Sequence, residues 1–178
     1  MNGIALVLKA AAFSAHEHRE HRRRDIKRTP YINHPLAVAE ALCVEGRVRD
    51  PEILAAALLH DTLEDTTTTY AELHREFGSR IAVLVAEVSD DRTMHKAKRK
   101  RVQVDRAASL SSAAQQIKIA DKLCTVRDIL ERPPARWTTK RKRAYFEWAK
   151  KVVDRVRSAN PEIAAKFDAA YAAWRETS

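Results

Sequence analysis

The stretch from residue 51 to residue 59, PEILAAALL, constrains the fold more than any other part of the chain. Asp50 can cap a helix that starts with a proline, and Glu52 complements the positive end of its dipole. The residues that follow are apolar on nearly every side, so a helix formed by them belongs in the middle of a domain. It would deliver the next residues, His60 and Asp61, from the interior into a cleft, where ionisable groups need partners.

The rest of the chain favours helices as well. Only 3 of the 178 residues are glycine, and 45% are apolar. Long stretches are rich in residues with high helix propensity, and no run combines apolar–polar alternation with β-branched residues as a strand would. The sequence therefore predicts an all-α protein: a bundle of about eight to ten helices in one domain that spans residues 1–178.

Polar residues at the end of the apolar helix resemble the beginnings of a metal site. The helix is expected to continue through HDTLEDT, and residues four apart share a helix face. His60 would then lie under Glu64, and Asp61 under Asp65. Neutral imidazole and carboxylate oxygens suit a divalent transition metal. Asp121 lies at the edge of another apolar stripe, where it must be paired with a neighbouring Lys or Arg, hydrogen-bonded or bound to a cation.

Two further histidine segments are interpreted from their surroundings. The first helix runs from Ile4 to about His18 and enters a basic segment. His16, His18 and His21 do not share one helical face, which favours a solvated surface. Pro35 fits the first turn of a helix, so His34 is expected just before that helix begins.

The net charge of +9 predicts a surface that attracts nucleic acid, phosphate-rich small molecules or acidic lipid. Residues 92–106 are the most basic stretch, either a solvated face or loop, or a segment that contacts phosphates. Cys43 and Cys124 are expected to be buried free thiols. No run approaches the roughly 20 apolar residues of a membrane span, and the N-terminus lacks a signal-peptide pattern. A cytoplasmic protein is expected.

Four residues follow the order H…HD…D, which resembles the signature of the HD metal-dependent phosphohydrolase superfamily: His34, His60, Asp61 and Asp121. The surrounding stretches TPYINHPLAVA, ALLHDTLEDT and IKIADKL are similar to the hydrolase domain of RelA/SpoT proteins, and most of all to the small alarmone hydrolases of the metazoan SpoT homologue type. DDRTMHKAKRKRVQV and AYFEWA extend this likeness over nearly the whole chain. The resemblance implies an all-α HD fold, bound Mn²⁺, and hydrolysis of (p)ppGpp at its 3′-pyrophosphate to GDP or GTP plus pyrophosphate.

The resemblance also implies a role for each matching residue. The four residues of the signature would be the metal ligands. Two acidic residues would handle the attacking water: Glu64 and Asp65. Six residues would contact the nucleotide and its phosphates: Arg23, Arg24, Lys96, Thr125, Arg141 and Tyr145. This match favours the phosphate-contacting interpretation of residues 92–106.

The sequence departs from the family pattern outside the metal ligands and the acidic pair. Thr125 stands where the family usually has Asn, and a hydroxyl cannot make the two-sided contact of an amide. Glu20 and His21 replace a common Gly-Gln, and Arg24 replaces a common Lys. Residues 26–28 are more basic than usual. We therefore expect hydrolysis to be retained, with guanine recognition the more open question.

Two other functions stay open at this point. One is phosphohydrolysis of a different nucleotide, such as NADPH or a nucleoside triphosphate, which Thr125 keeps open. The other is a nucleic-acid-binding module that uses the basic clusters. No nucleic-acid-binding motif occurs, and aromatic residues (6%) are spaced like core residues, so a small nucleotide is the expected partner, with no nucleic acid and no membrane. Both a monomer and a dimer are compatible with the sequence.

Overall fold

The computed structural model describes residues 2–176, in which every regular element is helical. In chain order the α-helices are α1 (Gly3–Glu17), α2 (Asn33–Glu40), α3 (Pro51–Leu59), α4 (Thr62–Asp65), α5 (Tyr70–Phe77), α6 (Ser79–Val88), α7 (Lys96–Arg106), α8 (Ser112–Glu131), α9 (Thr139–Val156) and α10 (Pro161–Glu176). A π-helical segment, Ala41–Glu45, continues α2. The predicted all-α class and number of helices are confirmed. Residues 1, 177 and 178 of the predicted domain lie outside the described residues.

Side-chain caps explain where several of the helices start. Asp50 accepts a hydrogen bond from the backbone N–H of Glu52 at 2.9 Å, and Ser111 accepts one from the first turn of α8 at 3.3 Å. Helix α6 is an exception, because Gly78 precedes it without a side-chain cap. Gly78 has φ of 86°, a backbone conformation that favours glycine.

Helix α3 lies in the middle of the fold, as predicted. It packs against α1, α2, α6 and α8. Ala55, Ala56, Ala57 and Leu59 are fully buried on its different sides. The run of alanines lets neighbouring helices approach closely, and the C-terminal end of α3 lies between α2 and α8, the two helices that supply the remaining ligands of the candidate site.

The predicted continuous helix through HDTLEDT is wrong, because the chain breaks it at the functional pair. Helix α3 ends at Leu59, His60 and Asp61 form a turn, and α4 begins at Thr62. The hydroxyl of Thr62 donates to the carbonyl oxygen of Leu59 at 2.7 Å. A threonine hydroxyl bonded to a nearby carbonyl competes with the helical pattern of backbone hydrogen bonds, which accounts for the interruption.

Three smaller expectations also need correction. His34 lies within the first turn of α2, which begins at Asn33, and not before the helix. His18 is only 1% exposed, so the segment beyond α1 is not uniformly solvated. Cys124 is buried as expected, whereas Cys43 is partly exposed, and both are free thiols. Among residues 2–176, none of the helices combines the length and apolar character that a membrane crossing requires.

Candidate metal centre and active site

Four side chains from three parts of the fold converge at the end of α3. His34 on α2, His60 after α3 and Asp121 on α8 place one possible ligand atom each within 4.8 Å of the others. His34 Nε2 lies 3.3 Å from Asp121 Oδ1. Asp61 Oδ2 lies 3.1 Å from His60 Nε2 and 3.8 Å from His34 Nε2. The structure thus brings together all four residues that the sequence predicts as metal ligands.

The arrangement of His60 fits a bound cation. The ring nitrogen Nδ1 lies 2.7 Å from the carbonyl oxygen of Ala57, so Nδ1 carries the proton and donates it. This leaves Nε2 facing Asp61 Oδ2 at 3.1 Å, where either a proton or a metal ion can bind it. A ligating histidine characteristically donates its other ring N–H to a carbonyl or carboxylate, which fixes its tautomer and orientation. The donor set therefore fits a divalent metal ion.

Two neighbouring side chains orient the carboxylates. The Tyr31 hydroxyl donates to Asp61 Oδ2 at 2.7 Å. The Lys122 ammonium donates to Asp121 Oδ2 at 2.7 Å, which leaves Asp121 Oδ1 facing the imidazole of His34. Partners of this kind fix the direction in which each carboxylate offers its lone pairs.

The ionised carboxylates of this cluster are stabilised by positive charge. Burial opposes charge on His60, but the charge and hydrogen bond of Asp61 and the charge of Asp121 together outweigh it and raise the pKa of His60 to about 9. Burial likewise opposes ionisation of Asp61, yet the charge and hydrogen bond of His60 and the charge of His34 together outweigh it and lower the pKa of that carboxyl. For Asp121, the cation of Lys122 and the contact with His34 overcome burial and hold its pKa well below the ordinary value. Both carboxylates stay ionised, so a cation stabilises the cluster.

The predicted acidic pair lies on α4, immediately beyond the metal cluster. Glu64 Oε1 accepts the backbone N–H of Asp90 at 2.7 Å. Burial and the nearby charge of Asp90 raise the pKa of Glu64 to about 7. Asp65 accepts a longer bond of 3.4 Å from Tyr31 Oη and pairs with Arg92 at 3.1 Å, while burial and Asp61 raise its pKa. Carboxylates with raised pKa values suit proton transfer near neutral pH.

A cavity of about 640 Å³ opens beside the metal cluster, a size typical of ligand sites. Its wall includes His34 and Asp65, which join it to the metal cluster and to the acidic pair. The wall also includes four of the predicted nucleotide-binding residues: Arg23, Arg24, Thr125 and Tyr145. Arg23 is held in place by an ion pair of 2.6 Å with Asp128.

A second cavity of about 250 Å³ adjoins the first and is strongly cationic. The two share Arg24, Trp137 and Tyr145, and the second adds the remaining predicted residues, Lys96 and Arg141. Partial desolvation at the cavity edge and the charges of Arg141 and Arg24 lower the pKa of Lys96. Clustered cations that disfavour one another's charge are stabilised by an anionic ligand. Lys96 thus faces a cavity, although no side chain of α7 is buried.

Sequence reasoning missed two residues of the site. Tyr31 has no role in the sequence-based assignment, yet it contacts both Asp61 and Asp65. Its position three residues before His34 was the available signal. Asp90 is far from Glu64 in the sequence, so no local pattern could reveal their hydrogen bond.

Comparisons with known proteins agree with this geometry. The HD domain family model matches residues 10–147. The chain is 46% identical over 164 residues to the guanosine-3′,5′-bis(diphosphate) 3′-pyrophosphohydrolase MESH1 of Xenopus tropicalis, with 92% of both chains covered. It is also 46% identical to the Homo sapiens MESH1 over 159 residues, with 89% of each covered. The chain is an HD-domain protein of the MESH1 family.

A solved structure extends this family relationship to three dimensions. The HD domain superposes with a TM-score of 0.91 on a metazoan orthologue of SpoT that hydrolyses ppGpp, at 41% identity and 94% coverage of each chain. The HD domain also matches part of a longer relative, the guanosine-3′,5′-bis(diphosphate) 3′-pyrophosphohydrolase of Aquifex aeolicus, at 38% identity over 18% of that protein. Metal dependence is a property of the HD family, and the His34, His60 and Asp121 cluster fits it.

Proposed function

We propose that this protein is a metal-dependent pyrophosphohydrolase that releases the 3′-pyrophosphate of (p)ppGpp, forming GDP or GTP. The observation that supports this best is the continuity of three parts. A buried His/Asp cluster, an acidic pair and a cationic cavity adjoin one another. The family relatives that act on this substrate match nearly the whole chain.

The ligands in this proposal are His34, His60, Asp61 and Asp121, and the ion is Mn²⁺. Mn²⁺ is bound better by carboxylates than by thiolates, and this site offers two carboxylates together with two imidazoles. When bound, the ion supplies Lewis-acid polarisation of a phosphoryl oxygen and acidifies a water molecule. The chain spans one HD domain from residue 1 to residue 178 and acts in the cytoplasm.

The chain's own residues then carry out three tasks. One carboxylate of the acidic pair, Glu64 or Asp65, accepts the proton of the attacking water as its oxygen bonds to phosphorus. The bond between that phosphorus and the ribose 3′-oxygen breaks, and the 3′-oxygen takes up a proton from solvent. Arg23, Arg24 and Lys96 hold the phosphates, together with Arg141, while Tyr145 and Thr125 form the wall beside the nucleoside.

The first experiment uses chelator-treated full-length protein with ppGpp and, in turn, Mn²⁺, Mg²⁺, Zn²⁺ or no metal. Anion-exchange chromatography separates the products. We expect GDP and pyrophosphate only with metal, and most with Mn²⁺. Release of single phosphate groups would contradict cleavage at the 3′-oxygen, and absence of turnover with every metal would contradict the substrate.

Hydrolysis of another nucleotide, such as NADPH, is the second candidate. One observation favours it: the Thr125 hydroxyl lies 3.4 Å from Asp121 Oδ1 at the cavity wall, and offers no amide pair to a guanine. A panel of ppGpp, NADPH and GTP, compared by kcat/KM, distinguishes the two candidates. A higher kcat/KM for NADPH than for ppGpp would make the second candidate the function.

A further inference from the structure

The turn that follows α1 contains a pair of histidines with no role in the mechanism above. His18 is only 1% exposed, whereas His21 is half-buried and lines the cavity of about 640 Å³. Their Nδ1 atoms lie 3.0 Å apart. A hydrogen bond between two such nitrogens needs one donor and one acceptor, so the tautomers of the two rings depend on each other.

His18 decides which ring donates. Burial lowers the pKa of His18 to about 4, so its ring is neutral at pH 7 and carries one N–H. Its Nε2 is buried and has no hydrogen-bond partner among residues 2–176. A buried N–H without an acceptor is rarer in native structures than an unpaired acceptor. The proton of His18 therefore lies on Nδ1, which donates to Nδ1 of His21.

This assignment fixes the chemistry of His21. Its Nδ1 accepts from His18, so the neutral ring carries its proton on Nε2, the only ring nitrogen left for the cavity. The backbone holds the ring in place from both sides. The N–H of His21 donates to the carbonyl of His18 at 2.9 Å, and the carbonyl of His21 accepts from Tyr31 at 3.1 Å.

We propose that His21 donates its Nε2–H to a phosphoryl oxygen of the nucleotide, and that His18 is a positioning residue which fixes that tautomer. Phosphoryl oxygens only accept hydrogen bonds, so a ring held as a donor suits them. Arg23, Arg24 and Arg92 line the same wall, where an anion is favoured. The identity of the ligand as a nucleotide phosphate rests on the proposed function, whereas the tautomers assigned to His18 and His21 do not.

The tautomers are tested first, on the free full-length protein labelled with ¹⁵N. Long-range ¹H–¹⁵N correlation spectra distinguish a protonated ring nitrogen from a bare one. We expect protonated Nε2 and bare Nδ1 in His21, and the reverse in His18. Protonated Nδ1 in His21 would overturn the assignment, whether or not the protein hydrolyses ppGpp.

The phosphate contact is tested with His21→Ala and His21→Gln, with His16→Gln as the matched control, because His16 is an exposed histidine near the end of α1, the helix that precedes this turn. His21→Ala should raise the KM for ppGpp about tenfold, the effect of one hydrogen bond to a charged group, with kcat nearly unchanged. His21→Gln should recover most of the loss, since its amide can donate. Equal KM values in the wild type and in both variants would overturn the contact.

Binding of pyrophosphate, measured by calorimetry, separates this inference from the proposed function. If the wild-type protein binds pyrophosphate and His21→Ala weakens that binding about tenfold, the contact holds even where ppGpp is not hydrolysed. Equal pyrophosphate affinity in the wild type and in His21→Ala would overturn it. Thermal unfolding of each variant shows whether a change in affinity comes from a loss of folding.

Discussion

The metal cluster and the cationic cavity wall adjoin each other, but they are stabilised by ligands of opposite charge. The metal cluster is buried in the core, and its carboxylates raise the pKa of His60 to about 9. The cavity wall lies nearer the surface, where partial desolvation and clustered cations lower the pKa of Lys96. The first region is stabilised by a cation and the second by an anion, so a metal ion and a polyphosphate would each neutralise the region that needs it.

The largest effect should come from the metal cluster. Asp61→Asn removes a ligand and the charge that raises the pKa of His60. We expect loss of bound Mn²⁺, measured by elemental analysis, and a loss of turnover of at least roughly 10³-fold, because metal ions supply several kcal/mol of transition-state stabilisation. Asp105→Asn, an exposed carboxylate on α7, is the control. Full metal content in Asp61→Asn would show that Asp61 is not a ligand.

The next effect should separate metal binding from proton transfer. Glu64→Gln keeps the size of the side chain but removes the proposed base. We expect kcat to fall by about 10²–10⁴-fold with the metal content unchanged. Glu40→Gln, an exposed residue on α2, should behave like wild type. Normal kcat in Glu64→Gln would assign the base to Asp65 alone.

Substitutions in the cationic wall should affect binding and leave the metal in place. Arg141→Ala or Lys96→Ala should raise KM roughly tenfold, about 1.4 kcal/mol, with little change in kcat. The effect should shrink as salt is added, because salt screens exposed charges. Arg47→Ala, an exposed arginine outside both cavities, is the matched control. A salt-independent KM would contradict a charge-based role.

Thr125→Asn tests recognition of the nucleoside. The substitution restores the residue that the family usually has and offers an amide to the cavity wall. We expect kcat/KM for ppGpp to rise a few-fold relative to NADPH, the size of one neutral hydrogen bond of about 1 kcal/mol. An unchanged ratio of the two substrates would remove Thr125 as a specificity residue.

The smallest effect concerns the pH profile. Glu64 acts as a base only when deprotonated, so turnover should rise with pH through its pKa of about 7. Burial is the larger cause of that raised pKa and remains in Asp90→Asn, while the second cause, the charge of Asp90, is removed. The rising limb of the pH–rate profile should therefore move to lower pH. Turnover at pH 7 should increase at most roughly twofold. A limb that moves to higher pH would contradict the assignment.

Sequence reasoning predicts the helical class for physical reasons, whereas the full set of four ligands was implied by the resemblance to the HD superfamily. Helix caps are local, and an ionisable group at the end of an apolar helix must find partners inside the protein. The break at His60 and Asp61 was not predictable from helix periodicity, because it depends on the Thr62 hydroxyl. The burial of His18 was missed because its neighbours Glu17 and Arg19 are polar, and only tertiary packing excludes water from it.

The break between α3 and α4 has an evolutionary consequence. His60 and Asp61 belong to the turn that ends one helix, whereas Glu64 and Asp65 lie on a separate four-residue helix. Under the proposed roles, substitutions in that short helix would remove proton transfer without rebuilding the ligand cluster. A descendant that lost only Glu64 and Asp65 would then recognise the nucleotide without consuming it. On the proposed mechanism, two substitutions would turn this scaffold from a hydrolase into a receptor for its former substrate.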